Sequence, residues 1–148
     1  MSAERSVSPI SVLLVEDDPG DVALTRKSMK ASKLSNDLHV VDDGVAALAY
    51  LRREPPYADA DRPDLILLDL NLPRKDGRDV LGEVKADPGL ATIPVVILTT
   101  SAAEQDIAQS YHLHANAYVQ KPVDVYQFMH VIKSIDEFFV SIVRLPSR

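Results

Sequence analysis

The stretch ISVLLVEDDP, from Ile10 to Pro19, predicts how the fold of this chain begins. A short apolar run that stops abruptly at acidic residues and a proline is typical of a strand buried on both faces of a sheet. Asp18 is then placed as the N-cap of a helix, with Asp21 in its first turn, where carboxylates suit the positive end of a helix. Both aspartates could instead be metal ligands, but capping explains both. The stretch therefore predicts a buried strand followed by a helix to about Ser32.

Four further short apolar runs repeat this pattern along the chain. They lie at Leu38 to Val41, Asp64 to Leu68, Pro94 to Leu98 and Ala117 to Gln120, and helical segments alternate with them. The last helix is expected from about Asp124 to Val143. Strands that alternate with helices are typical of βαβ units. The sequence therefore predicts an α/β fold, a doubly wound five-stranded parallel sheet with helices on both faces.

Length and composition agree with one cytoplasmic domain. The 148 residues match a single domain, and the absence of cysteine excludes a disulfide scaffold, a thiolate metal site and a cysteine nucleophile. No apolar run approaches the ~20 residues of a membrane span, and Met1 to Pro9 lacks the apolar core of a signal peptide. A net charge of −6 without a basic stretch argues against nucleic acid or an anionic membrane as a partner.

Polar residues stand at the carboxyl ends of the predicted strands, where ligands bind in an open parallel sheet. They are Glu16 and Asp17, Asp69, Thr99 and Lys121. Two carboxylates at ~4 Å repel by about 4 kcal/mol at an effective dielectric constant near 20. Either the lysine or a divalent cation such as Mg²⁺ must offset that repulsion. A carboxylate beside Mg²⁺ and a lysine is equipped to attack phosphorus.

Four motifs at these strand ends resemble the receiver domain of two-component response regulators. They are VEDD at 15–18, DLNLPRKDG at 69–77, LTTS at 98–101 and YVQKP at 118–122. The resemblance implies a flavodoxin-like fold with strand order 2-1-3-4-5. It places the receiver domain at residues 10–143, between a flexible N-terminal segment (1–9) and a C-terminal tail (144–148).

The resemblance also implies a phosphoacceptor and its metal ligands. Asp69 would take a phosphoryl group from the phosphohistidine of a sensor histidine kinase. Asp17 and Asp69 would bind Mg²⁺ directly, the backbone carbonyl of Asn71 would be a further ligand, and Glu16 would act through a metal-bound water. Many members of the family have Asp at the position of Glu16. The longer Glu side chain reaches further toward the metal and keeps the same charge.

Further residues are assigned by the same resemblance to the phosphoryl group and to a switch. Thr99 would hydrogen-bond the phosphoryl group and Lys121 would pair with it, while Thr99 and Tyr118 would form the switch. Side chains at Asn71 and Ser101 would tune the lifetime of the acyl phosphate. Ser101 also fits a capping box with Glu104, and both roles can hold.

The last third of the chain resembles the single-domain regulators that partner bacterial and cyanobacterial phytochromes. The matching segments are YHLHANAYVQKP at 111–122 and DEFFVSIVRLP at 136–146. The expected partners are therefore a bacteriophytochrome kinase and a histidine phosphotransfer protein. The last helix also carries more apolar residues than one sheet-facing stripe needs, among them Phe128, Phe138 and Phe139. We expect a homodimer there; the alternative is that these residues pack under the tail.

Three functions compete for this pattern. The leading hypothesis is a phosphorylation-dependent switch that is not an enzyme toward other substrates and signals by altered protein contacts. The second is an aspartyl-phosphate hydrolase of the haloacid dehalogenase kind, but such enzymes have a second aspartate where this chain has Asn71. The third is a binding module that is not phosphorylated. If Asp69 stood alone, the better interpretation would be a solvated aspartate that begins a turn. Because Asp17, Thr99 and Lys121 occupy the other strand ends, a phosphoacceptor is the better interpretation.

Overall fold

Strands and helices alternate along the part of the chain described by the computed structural model, which comprises residues 9–32, 35–100, 103–104 and 115–134. The strands are β1 (Ile10–Val15), β2 (Asn36–Val41), β3 (Leu65–Asp69), β4 (Val95–Thr99) and β5 (Ala117–Gln120). The longer helices are α1 (Pro19–Ala31), α2 (Gly44–Leu51), α3 (Gly77–Ala86) and α4 (Val125–Ser134). Ala103 and Glu104 are also helical. The predicted helix beyond Ser134, the N-terminal segment up to residue 8 and the tail lie outside the described residues.

The strands form one parallel sheet in the order β2-β1-β3-β4-β5. Val15 pairs with Leu68, and Asp69 pairs with Leu98, so neighbouring strands end within a residue or two of one another. This register brings the residues that follow β1, β3, β4 and β5 to one edge of the sheet. The predicted fold class and strand order are confirmed.

Apolar side chains cover both faces of the sheet. Alternation along β1 sends Leu13 toward the layer formed with α2 and α3, and Leu14 toward the layer that contains Met29 of α1 and Phe128 of α4. Every residue of β3 and β4 is buried. Strands covered on both faces read as continuous apolar runs, which is why the sequence located them.

Aspartates begin the helices, and the sequence predicts this role for Asp18. The side chain of Asp18 accepts a hydrogen bond from Gly20 N at 3.3 Å, and that of Asp43 accepts one from Ala46 N at 2.7 Å. Asp124 accepts from Gln127 N at 2.8 Å at the start of α4. Each cap satisfies a backbone donor that the first turn of a helix leaves unpaired.

The segment between α2 and β3 is a long proline-bearing loop. The rings of Tyr50 and Tyr57 lie 5.4 Å apart and hold the loop against the first apolar layer. The guanidinium of Arg62 donates to Gly89 O at 2.5 Å and to Thr92 Oγ1 at 3.0 Å, which joins the loop to the turn before β4. Among the helices of the described ranges, none is long and apolar enough to cross a bilayer.

Candidate functional site

Three carboxylates converge at the carboxyl edge of the sheet. Oxygen atoms of Glu16, Asp17 and Asp69 all lie within 4.8 Å of one another. Glu16 is 1% exposed and Asp69 is 3% exposed, whereas Asp17 is open to solvent. The turn after β1 places the first two residues, and the last residue of β3 is Asp69 itself. The convergence predicted from the strand ends is therefore observed.

Lys121 lies among these carboxylates. Its Nζ is 3.0 Å from Glu16 Oε1 and 3.0 Å from Asp69 Oδ2. A backbone hydrogen bond of 2.7 Å from Lys121 N to Thr99 O fixes the start of the turn after β5, and the following bond to Pro122 is cis. Only 9% of the lysine side chain is exposed. Its ammonium therefore offsets part of the negative charge inside the site.

Asp21 also belongs to this cluster, although the sequence favoured a role at the start of α1 over a place in the site. Its Oδ2 lies 3.0 Å from Lys121 Nζ. The sequence explains Asp21 as an acidic residue in the first turn of α1, and that explanation holds. The position of Asp21 in the sequence could have indicated this contact, because the first turn of a helix that directly follows β1 lies beside the strand ends.

The site holds more negative than positive charge, and the ionisable groups respond to this. Burial, together with the hydrogen bond and the charge of Asp69, raises the pKa of Glu16 to about 7. Burial alone would lower the pKa of Lys121, but hydrogen bonds with Asp21, Asp69 and Glu16 raise it above its ordinary value. The lysine is therefore charged, and the surplus carboxylate charge favours a further cation.

The donor set fits a hard divalent cation. Mg²⁺ binds oxygen ligands, uses one or two protein carboxylates and keeps water and phosphate oxygens as its other ligands. Asp17 and Asp69 supply such carboxylates, and the exposure of Asp17 leaves a side open to solvent. The predicted water-mediated ligand, Glu16, is in the same cluster, but its carboxylate is bonded to Lys121.

The loop after β3 is held tightly around Asp69. Asn71 N donates to Asp69 Oδ1 at 3.0 Å, and Gly77 N donates to Leu70 O at 2.9 Å. A Cβ atom at Gly77 would collide with the carbonyl oxygen of Asp69 and with the backbone of Leu70. The first residue of α3 therefore packs directly on the backbone that carries Asp69.

Thr99 and Tyr118 are placed beside the site by β4 and β5. Thr99 is fully buried, and its hydroxyl donates to Val119 O at 3.4 Å. Tyr118 is half-buried against the layer that contains α2 and α3, and this burial raises the pKa of its phenol. Ser101, predicted to tune the acyl phosphate, lies outside the described residues.

Glu104 closes the space between the loops after β3 and β4. Its carboxylate accepts hydrogen bonds from Asn71 Nδ2 at 2.6 Å and from Thr100 N at 2.7 Å. The sequence predicted Ser101 as the capping partner of Glu104. A contact with Asn71 could not be found from the sequence, because the two residues lie in different loops.

Phe128 corrects the predicted dimer contact. It is 2% exposed and packs in the core layer with Met29 and Val123, so it is not available to a second copy. The reason is that α4 presents this ring to the sheet and to α1. The two other predicted contact residues, Phe138 and Phe139, lie outside the described residues.

Comparison with known proteins agrees with this geometry. Residues 12–133 match the family model of the response regulator receiver domain. Response regulator Rcp1 of Synechocystis sp. (strain ATCC 27184 / PCC 6803 / Kazusa) is 43% identical over 145 residues, which cover 98% of this chain and 99% of Rcp1.

Two solved structures are similar over almost the whole chain. The phosphorylated cyanobacterial phytochrome response regulator RcpA is 48% identical, with a TM-score of 0.74, covering 95% of this chain and 100% of RcpA. The Mn²⁺-bound form of response regulator Rcp1 is 45% identical, with a TM-score of 0.73, covering 94% of this chain and 100% of that one. With its matching fold and acidic site, the chain belongs to the family of response regulator receiver domains.

Proposed function

We propose that this chain accepts a phosphoryl group on Asp69 from the phosphohistidine of a sensor histidine kinase, in a Mg²⁺-dependent phosphorelay. The observation that carries the proposal is the position of Asp69, buried at the sheet edge, 3.0 Å from Lys121 Nζ and clustered with Glu16 and Asp17. A carboxylate with a fixed ammonium and a cation site beside it can attack phosphorus and stabilise the transferring charge.

The transfer needs only groups that this site provides. An oxygen of Asp69 attacks phosphorus in line, the bond from phosphorus to the imidazole nitrogen breaks, and the imidazole leaves with the electron pair. Lys121 stabilises charge on the phosphoryl oxygens, and the hydroxyl of Thr99 turns from Val119 O to donate to one of them. Hydrolysis of the acyl phosphate resets the protein, and Asn71 and Ser101 set how long that takes.

Asp17, Asp69 and the backbone carbonyl of Asn71 would hold Mg²⁺, with Glu16 acting through a water. When bound, the ion neutralises carboxylate charge and orients the phosphoryl oxygens. Phosphorylation would then alter protein contacts through Thr99 and Tyr118, and the protein would catalyse only its own phosphorylation and dephosphorylation.

The upstream kinase is proposed to be linked to a bacteriophytochrome, with a histidine phosphotransfer protein as a further partner. The support is that RcpA is a phytochrome response regulator and is similar over nearly the full chain. We place the receiver domain at residues 10–143, between segments 1–9 and 144–148, in a cytoplasmic protein. A homodimer would form through Phe138 and Phe139, and sedimentation of the double alanine variant as a monomer would support it.

The decisive experiment is incubation with Mg²⁺ and acetyl phosphate, followed by intact-protein mass spectrometry. We expect one phosphoryl increment that is absent from Asp69→Asn and from samples with a chelator. Asp64→Asn is a matched control, because Asp64 lies at the opposite end of β3 and bonds Ser11 N at 2.8 Å. An unchanged mass, or labelling that survives Asp69→Asn, would overturn the proposal.

A further inference from the structure

Glu104 connects the two loops that flank the phosphoacceptor. One carboxylate oxygen accepts from Asn71 Nδ2 at 2.6 Å, and the other accepts from Thr100 N at 2.7 Å and from Thr100 Oγ1 at 3.3 Å. Asn71 follows β3 and Thr100 follows β4. The carboxylate therefore bridges the mouth of the site from one strand end to the next.

The bridge is held by charge. Burial alone would raise the pKa of Glu104, but hydrogen bonds from Thr100 and Asn71 and the positive charge of Arg78 lower it below its ordinary value. The carboxylate is thus ionised near neutral pH. Hydrogen bonds to an ionised acceptor are shorter and stronger than neutral ones, in line with distances of 2.6 and 2.7 Å.

We propose that Glu104 is a latch that holds Asn71 and Thr100 in the unphosphorylated protein and is displaced when Asp69 carries a phosphoryl group. The inference rests on the proposed function, since it describes what phosphorylation of Asp69 does to its surroundings. Glu104 is therefore a positioning residue, because it holds Asn71 and Thr100 in place by accepting their hydrogen bonds.

Asn71 links Asp69 to the bridge. Its backbone N–H is bonded to Asp69 Oδ1 at 3.0 Å, while its side chain is bonded to Glu104. A group added to the carboxylate of Asp69 is therefore separated from the bridge only by Asn71. An acyl phosphate brings additional negative charge and oxygen acceptors to this point, which repels the carboxylate of Glu104 and competes with it for donors.

The same charge affects the approach of the phosphoryl donor. The exposed carboxylate of Asp17 clusters with Asp69, and the carboxylate of Glu104 is bonded to Asn71, which bonds Asp69 through its backbone, so an anionic donor approaches further carboxylates near Asp69. Neutralising Glu104 should therefore speed phosphorylation as well as favour the phosphorylated state.

The test measures the affinity for beryllofluoride, a phosphoryl analogue, in the presence of Mg²⁺. Glu104→Ala removes the bridge, and Glu104→Gln removes the charge while keeping a side chain that can still cap a helix. We expect about tenfold tighter binding in Glu104→Ala, because a hydrogen bond to an ionised group no longer opposes the change. Glu104→Gln should shift the affinity in the same direction. The matched control is Glu83→Gln on α3, whose partly exposed carboxylate pairs with Lys75, before α3, and with Arg52, which follows α2.

Nitrogen-15 NMR separates the latch from a purely structural cap. In the unphosphorylated wild type, the Asn71 side-chain amide and the Thr100 backbone amide should resonate at shifts that beryllofluoride changes. In Glu104→Gln without beryllofluoride, both signals should move toward those bound-state positions at an unchanged melting temperature. A double variant with Asn71→Ala should show a smaller effect of the Glu104 substitution, since the shared contact is already lost.

The outcomes separate the latch from the phosphotransfer itself. If the wild type gains one phosphoryl increment but both Glu104 variants bind beryllofluoride with wild-type affinity and show wild-type Asn71 and Thr100 signals, the latch is overturned and the proposed function stands. If the wild type is not phosphorylated, both fail. If Glu104→Ala is less stable than the wild type, the test rests on Glu104→Gln. Weaker binding of beryllofluoride to Glu104→Gln than to the wild type also overturns the latch.

Discussion

Lys121 is the residue on which the resting site depends most. Its ammonium contacts buried carboxylates of Glu16 and Asp69, each at 3.0 Å. Lys121→Ala leaves those carboxylates without their cation, and loss of one partner from a buried ion cluster costs about 3–5 kcal/mol. We expect a loss of that order in urea unfolding with a chelator present, and a smaller loss in Mg²⁺. Lys75→Ala, which breaks a partly exposed pair with Glu83, should cost no more than about 1 kcal/mol.

Glu16 gives the metal-free protein a pH dependence of known sign. Its folded pKa of about 7 lies above the ordinary 4.5, so the folded state binds this proton more tightly than the unfolded chain does. The contribution of this group to stability is therefore full below about pH 4.5 and is lost as the pH rises through about 7. With a chelator, the free energy of unfolding of the wild type should fall from pH 5 to pH 8 relative to that of Glu16→Gln. Equal pH profiles for the two proteins would contradict this.

Most site residues could be predicted because parallel strands end at the same edge of a sheet. That rule alone predicts that Glu16, Asp69 and Lys121 lie together. The rule did not identify Asp21 or Glu104 as site residues, because a local role explains each of them. Asp21 is explained as a carboxylate in the first turn of a helix, and Glu104 as part of a helix cap. Their contacts with Lys121 and Asn71 join distant parts of the chain, and sequence spacing carries no information about such contacts.

At the scale of elements, the start of α3 is fixed against the end of β3. Gly77→Ala would push a methyl group into the carbonyl oxygen of Asp69, which is backbone and cannot move aside cheaply. We expect a loss of about 2 kcal/mol or more in urea unfolding, and slower phosphorylation by acetyl phosphate. Gly82→Ala in the same helix meets nothing within 4 Å and should stabilise the protein by about 0.5–1 kcal/mol. Equal effects at the two glycines would refute this account of the turn.

The pattern of apolar residues in the sequence identifies β3 and β4, but it does not show which side of α4 faces the core. Continuous apolar runs identified β3 and β4 because both faces of those strands are buried. Helical spacing showed that α4 is rich in apolar residues, but not which of them face the core. Phe128 packs on Met29 and Val123, whereas Tyr126 of the same helix is 83% exposed. Which residues of α4 face the core depends on the direction in which the helix leaves β5, and tertiary packing sets that direction.

For the whole molecule, the net charge of −6 is unevenly distributed. The ammonium of Lys121 pairs with the carboxylates of Glu16, Asp21 and Asp69 at one edge of the sheet, and the carboxylate of Asp17 clusters with those of Glu16 and Asp69. This concentration of charge destabilises the folded state when no divalent cation is bound. Folding and cation binding are therefore coupled, since the unfolded chain does not bring these oxygens together.

Mg²⁺ should accordingly stabilise the entire fold. A ligand that binds only the folded state adds about 2.7 kcal/mol at a concentration 100 times its dissociation constant. We expect the melting temperature to rise on titration with Mg²⁺, and the rise to be largely lost in Asp17→Asn. Asp17 is exposed, so this variant should fold as well as the wild type in a chelator and isolates the binding effect. Asp59→Asn, in the loop before β3, removes the same charge away from the site and should leave the Mg²⁺ response intact. If Asp17→Asn kept the full shift, Mg²⁺ would be acting elsewhere on this acidic surface.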